Sequence, residues 1–477
     1  MLENTTLFLI INMLSGIGYS LVSPLFPTLG KKDNLSEGIL GWIIGIFPIS
    51  GSIFTPLVPI LCKKFSRINL LCFATFCEAS CTILYGLLFF ISNFTLLMII
   101  IFSLRILHGC CSAIIGTLVY SLTISLADKE NTQSSLGKLE IAWAMGCSSG
   151  PLFASFFYNI GGYPLPFIAS GISLYISVYL SKQINSEKLK DENEEKNDND
   201  NNNNINYFRY LFYKEIFLVL FGFVICMINV TFYYPCLTYH LTNNYSVSVS
   251  IASLFFITPV IPYIIILQYL DSISAKFGIY LTFTYGLILS GISSIFIYPV
   301  PPLPHSLIII IIGFFIIGTG SVPVFIPGLV MLSNNIKKID DNIDEMSAND
   351  IASAINTLCV ELGDFLGPIL GGFLTDKFGF SFCCFFVSML GIAYSGIFIF
   401  FFFNKIKTDF NMVCHNKETE RDYNEKENKI EKIQHENFIP HIKLYFSAGK
   451  YNIRSHSYKN LERTNNPRIS LYSSITD

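Results

Sequence analysis

Long apolar runs broken by short polar stretches dominate this chain. They lie at roughly 6–27, 38–62, 68–91, 95–126, 136–160, 163–182, 214–238, 248–270, 277–299, 306–333, 349–374 and 380–403. A hydrocarbon core of ~30 Å is crossed by ~20 apolar residues in an α-helix, so the pattern predicts twelve transmembrane helices. The fourth and tenth runs are long enough to include an interfacial turn. One long polar stretch, SEKLKDENEEKNDNDNNNNIN, interrupts the series between the sixth and seventh runs. It has too few apolar residues to fold alone. The expected organisation is therefore an N-terminal six-helix half at 1–183, a disordered cytoplasmic linker at 184–212, a C-terminal six-helix half at 213–404 and a polar cytoplasmic tail at 405–477.

Composition sharpens this into an all-α integral membrane class. Of 477 residues 52% are hydrophobic and 14% charged, against about 25% charged in soluble proteins. The short amino terminus carries Glu3 and runs straight into the first apolar run, so that run reads as an uncleaved targeting signal. Basic residues set the orientation. With the amino terminus inside, the cytoplasmic loops take Lys63, Lys64, Arg67, Lys129, Lys138, Lys276, Lys337 and Lys338, whereas the opposite side keeps Lys31, Lys32 and Lys377. The 13 cysteines fall almost entirely inside the runs and form no CxxC pair, the pattern of small packing residues.

The two halves share a skeleton. Ala144–Gly162 reads AMGCSSGPLFASFFYNIGG, and Glu361–Gly379 reads ELGDFLGPILGGFLTDKFG. Without gaps, Gly363 falls over Gly146, Gly367 over Gly150, Pro368 over Pro151 and Gly379 over Gly162. These are the fifth and eleventh runs, equivalent places in a duplicated six-helix unit. Such internal repeats characterise secondary transporters, whose substrate sites lie between the repeats near the bilayer midplane.

At ~100° per residue, Gly363, Gly367 and Gly371 form one stripe along which another helix can approach closely. Glu361, Asp364 and Pro368 share an adjoining flank, within roughly 60° of one another. Pro368 cannot donate to the Asp364 carbonyl and favours a kink there. Glu361 stands about twelve residues from the cytoplasmic end, ~18 Å deep at 1.5 Å per residue. Two carboxylates three residues apart in a low-dielectric setting cannot both ionise cheaply, which is what a proton carrier requires. An organic cation could replace the proton by neutralising the same charge. Arg105, in FSLRILHGCCSA, is expected to pair with an acid or to set the electrostatics of a proton path. His108 one turn on fits a packing role better. Glu140 near the inner end of the fifth run and Glu78 midway along the third are further buried-charge candidates. Tyr233 and Tyr234 precede Pro235 and could face an amine through their rings.

No GxxxxGK[ST] phosphate loop, HExxH, GxSxG or DxDxDG pattern is present, nor a basic–aromatic array for nucleic acid. ATP drive, enzymatic chemistry and a cofactor are not expected; oligomeric state is left open. Three motifs resemble the major facilitator superfamily across roughly 6–403. They are the basic loop after the second run in GSIFTPLVPILCKKFSR, which lacks the usual acid, the RILHG element, and GxxxGP in the fifth run. More narrowly, LGKLEIAWAMGCSSGPLFASFFYNIGGYPLPFI and YSLVSPLFPTLG resemble the vesicular amine transporter family, in its vesicular polyamine transporter-like branch. That resemblance implies exchange of lumenal protons for a cytosolic organic cation. It carries Arg105, Glu140, Gly146, Gly150 and Pro151 over as gating or coupling positions, with Gly367 and Pro368 as second-half equivalents. The chain departs from the monoamine carriers in lacking an acid in the first run, in having Tyr234 before the proline of the seventh, and in having Thr357 at the position of their eleventh-run acid.

The expected function is a proton-coupled antiporter of an amine or polyamine working by alternating access, in a vesicle or other endomembrane or the plasma membrane. The partners are the lipid bilayer, a small organic cation and protons. Rivals are a multidrug exporter of the same superfamily and a transport-dead receptor or scaffold acting through the tail. The orientation is directly testable. Asn34 and Asn244, in NLS and NYS, fall on the non-cytoplasmic side, so an endoglycosidase-sensitive mass shift lost in Asn34→Gln or Asn244→Gln is the expected result.

Overall fold

A computed structural model describes residues 4–33, 35–62, 64–126, 132–181, 208–298, 304–340 and 345–411. The linker up to 207, the tail beyond 411, Asn34 and Lys63 lie outside the described residues, as does the side chain of Glu140.

The helices are α1 (Asn4–Ser20), α2 (Val22–Asp33), α3 (Glu37–Phe54), α4 (Arg67–Leu87), α5 (Phe94–Leu126), α6 (Thr132–Gly161) and α7 (Pro164–Ser181). They continue with α8 (Lys214–Thr231), α9 (Leu237–Asn244), α10 (Val249–Leu254), α11 (Val260–Phe277), α12 (Ile279–Ile297), α13 (Leu307–Ile339) and α14 (Glu345–Phe378). A last helix, α15, covers Phe380–Asn411. Among the described residues, 10 helices are long and apolar enough to cross a bilayer. The remaining two expected spans correspond to α7, whose apolar part Pro164–Tyr179 is shorter, and to α6, which carries the polar first-half copy of the glycine skeleton.

The breaks do not fall where run length suggested. The fourth and tenth runs are unbroken helices of 33 residues each, α5 and α13. Interruptions come instead at Leu21 between α1 and α2, at Phe232–Cys236 between α8 and α9, and around Pro259 between α10 and α11. Pro235 and Pro259 sit in two of these breaks, where a missing N–H and a ring clash interrupt the helical ladder. Pro323 and Pro327 are accommodated inside α13.

Buried apolar side chains separate by sequence. One core runs from Tyr210 to Phe402, and two smaller ones use residues 17–167 and 7–139. The outward faces are greasy instead of polar: Phe73, Phe156, Ile160, Tyr269, Ile308 and Phe400 are all exposed. Outside a membrane so much exposed apolar surface would aggregate.

Glycine lets the helices approach backbone to backbone. α6 lies along α1, and a Cβ on Gly146 would come within 2.1 Å of the Met13 carbonyl oxygen. The second copy lies along α8: a Cβ on Gly371 would come within 1.8 Å of the Phe232 oxygen, and one on Gly367 within 2.0 Å of Thr231 Oγ1. Both stripes thus pack helices of the same core. The contact between the two sets is made elsewhere, by α3 against α14 and by α10 against α6. There a Cβ on Gly41 would come within 2.2 Å of the Pro368 oxygen.

Gly146→Ala is therefore expected to cost about 1–3 kcal/mol through overpacking, read as a lower melting temperature of the detergent-solubilised protein. Gly116→Ala, whose Cβ would meet nothing within 4 Å, is the matched control and should be neutral or stabilising.

Candidate functional site

The two acids of α14 sit one turn apart and face different surroundings. Asp364 is 8% exposed, and its Oδ2 accepts a hydrogen bond of 2.8 Å from the Tyr19 hydroxyl on α1. The Tyr19 ring packs between Phe47 and Trp143, with centroids 5.0 and 6.0 Å away. Glu361, one turn toward the inner end, is only half-buried and lines a cavity of about 620 Å³. The cavity wall also includes Asn12, Ser15, Phe47, Tyr120, Trp143 and Thr357. Glu361 is the one charged residue among its described lining residues. Aromatic faces and a single carboxylate make a surface that favours a cation.

The cavity opens at the end where α3 finishes and α14 begins, marked by Thr55, Pro56, Tyr120 and Ala354. This is the end that carries Arg67, Lys337 and Lys338. The other end is closed by two latches. Asp376 accepts from the backbone N–H groups of Glu37 and Gly38, both at 2.9 Å, capping the N-terminus of α3. Asn159 Oδ1 accepts from the Ser250 hydroxyl at 2.6 Å, tying α6 to α10. Asp376 follows Gly363 by the same interval that separates Asn159 from Gly146. The repeat thus carries a matching latch residue in each copy. The glycine alignment alone did not single these two out, because neither is a glycine or a charge at midspan.

Arg105 is fully buried on α5 and was expected to pair with an acid. It pairs with backbone instead: Nε donates to the Ile43 carbonyl and Nη2 to that of Ile44, each at 2.9 Å, and its guanidinium lies 4.8 Å from the Phe47 ring centre. Pro48 explains the second bond, since it has no N–H to claim the Ile44 oxygen. Nη1 has no partner, and the charge of Arg105 reaches Asp364 only through space. Pro151 is buried in α6 and Pro368 in α14. Glu140 belongs to α6 next to Leu139, whose carbonyl accepts from Asn12 Nδ2 at 2.9 Å.

Tyr234 is half-buried, packed edge-on against Tyr233 at 5.2 Å, and touches the apolar cores of both sets of helices. It stands close enough to feel the charge of Asp364 without a hydrogen bond to it. Tyr19 is the residue that sequence reading missed. The available signal was a lone phenol within the first apolar run, in the stretch where an acid was looked for.

The Major Facilitator Superfamily profile matches residues 8–341 and 219–449. Over 389 residues the chain is 24% identical to the MFS-type transporter SLC18B1 of Homo sapiens, covering 78% of this chain and 79% of that one. Over 174 residues it is 28% identical to the multi-drug resistance efflux pump PmrA of Streptococcus pneumoniae, covering 36% of this chain and 42% of that one. Its fold is similar to the crystal structure of the nucleoside transporter NupG, with a TM-score of 0.65 at 12% identity over 84% of this chain and 99% of the other. An apolar bundle with a central cavity, a duplicated glycine skeleton and these matches lead to one assignment: the chain belongs to the Major Facilitator Superfamily and is a multi-pass membrane transporter, not an enzyme.

Proposed function

We propose that the chain is a proton-coupled antiporter of an organic cation, an amine or polyamine, working by alternating access. The observation that carries this is the pair Glu361 and Asp364. One acid lines the cavity and the other lies behind it, clamped by Tyr19 from the opposite set of helices. A cation held at Glu361 neutralises the same negative charge that a proton would, so the two compete for one site. Similarity to SLC18B1 and to an efflux pump supports transport, and the resemblance of Leu136–Ile168 to the vesicular amine transporter family supports an endomembrane setting.

The Tyr19–Asp364 bond gives the exchange a mechanical side. Protonation of Asp364 removes the charge that strengthens this bond. The link between α1 and α14 then weakens, and the closed end, held by Asp376 and Asn159, can part. The linker and tail are proposed to lie on the cytoplasmic side, with residues 1–183 and 213–404 moving as the two halves.

Purified protein in lipid vesicles with an imposed pH gradient tests the reading. Labelled spermidine should accumulate on the acidic side, and accumulation that persists after the gradient is collapsed would defeat proton antiport. Tetraphenylphosphonium taken up as well as spermidine would favour the multidrug rival. Glu361→Gln should weaken cation binding at least ~10-fold, the loss of one charge contact at intermediate dielectric. Gly41→Ala, which forces α3 away from Pro368, should leave the fold intact but speed amide exchange across residues 37–45, reporting a loosened closed end.

A further inference from the structure

The first set of helices holds a second group of ionisable side chains away from Asp364. Glu78 on α4 and His108 on α5 are both fully buried, with Nε2 of the histidine 3.2 Å from Oε1 of the acid. The Ser15 hydroxyl on α1 donates to the same Oε1 at 2.6 Å. On the far side of the imidazole, Nδ1 is 3.1 Å from the Tyr85 hydroxyl, which also reaches the Leu104 carbonyl at 3.2 Å. Glu78 Oε2 is buried with no partner, as is Nη1 of nearby Arg105. The thiols of Cys77, Cys81 and Cys111 are the other titratable groups around the pair.

Two features of this group point to a ligand. A carboxylate oxygen buried without a donor is costly while charged and much cheaper once it carries a proton. The group is also connected to the cavity. Ser15 lines the cavity, and Ser15, Glu78, His108 and Tyr85 follow one another within hydrogen-bonding distance. Tyr85 lies seven residues beyond Glu78 along α4, ~10 Å nearer the closed end at 1.5 Å per residue.

We propose that Glu78 and His108 form a second proton-binding site, buried in the first half and reached from the cavity through Ser15. A proton arriving on the Ser15 oxygen lets that hydroxyl pass its own proton to Glu78, so one proton enters and one is held. Without it the pair carries one negative charge, which balances Arg105. With it the pair is neutral or an internal ion pair, and one of the negative charges around Arg105 is lost, leaving Asp364, on which the charge of Arg105 also acts. The charge of the bundle around the cavity is then more positive by one, which disfavours a cation bound at Glu361. Loading the site therefore favours release of the organic cation, and the inference rests on the antiport reading for this use of the proton. The proton binding itself does not depend on it.

Infrared difference spectra of the full-length protein in lipid vesicles, between acidic and alkaline buffer, test the site without any transported substrate. Expected is a protonated-carboxyl band that Glu78→Gln abolishes and that Asp364→Asn and Glu361→Gln leave in place. His108→Gln should displace its titration midpoint by at least ~1 pH unit, a tenfold change in proton affinity. A Glu78→Gln spectrum superimposable on the wild type overturns the proposal. Should Glu78→Gln fail to fold, Ser15→Ala keeps the acid and removes its donor. The band should then move to higher wavenumber, and an unmoved band in both Ser15→Ala and His108→Gln is equally fatal. If the band behaves as expected but spermidine uptake ignores the pH gradient, the antiport reading fails while the site stands.

Discussion

Within a bilayer no water stands ready to take an unpaired donor or acceptor, and this constraint organises the whole bundle. A polar group placed at depth is therefore costly unless another meets it, from its own helix or from a neighbouring one. Arg105 shows how: its charge is permanent, so α3 must present carbonyls to it, and Pro48 frees one of them. The same demand joins Tyr19 to Asp364, Asn12 to the Leu139 carbonyl and Ser15 to Glu78. The polar contacts thus dictate which helices stand beside one another, while dispersion between close-packed surfaces holds them there.

Backbone contact does the rest. Where glycine removes the side chain, helices approach until carbonyl oxygens sit where a Cβ would be, as along α6 with α1 and α14 with α8. These contacts stay within one core and favour rigid units. The surface between α3 and α14 differs, because it combines glycine contacts with hydrogen bonds to exposed backbone N–H groups at one end and a cavity at the other. An interface tight at one end and open at the other is a natural place for a rocking motion.

Charge is graded across the same region. The carboxyl groups in the middle of the bundle, Glu78, Glu361 and Asp364, differ in how they are reached. Only Glu361 lines the cavity; Asp364 is held behind it, and Glu78 is deeper still and connects through Ser15. This graded access is what the proposed antiport draws on, with room for a bulky cation at Glu361 and for a proton alone at the other two.

Much of this was written in the order of residues. Apolar runs of bilayer length, the repeated GxxxGP skeleton and two acids one turn apart identify a duplicated membrane bundle with acids inside a spanning helix, since hydrophobic length and helical period are local properties. The partners of those acids are not local. Tyr19 meets Asp364 across 345 residues, and Asp376 caps a helix 339 residues away. Run length likewise misplaced the helix breaks, which follow prolines and packing. His108 read as a packing residue because nothing in its neighbourhood along the chain shows that Glu78 and Ser15 converge on it. Periodicity decides which residues leave water, but only the packing of helices distant in sequence decides which buried polar groups meet.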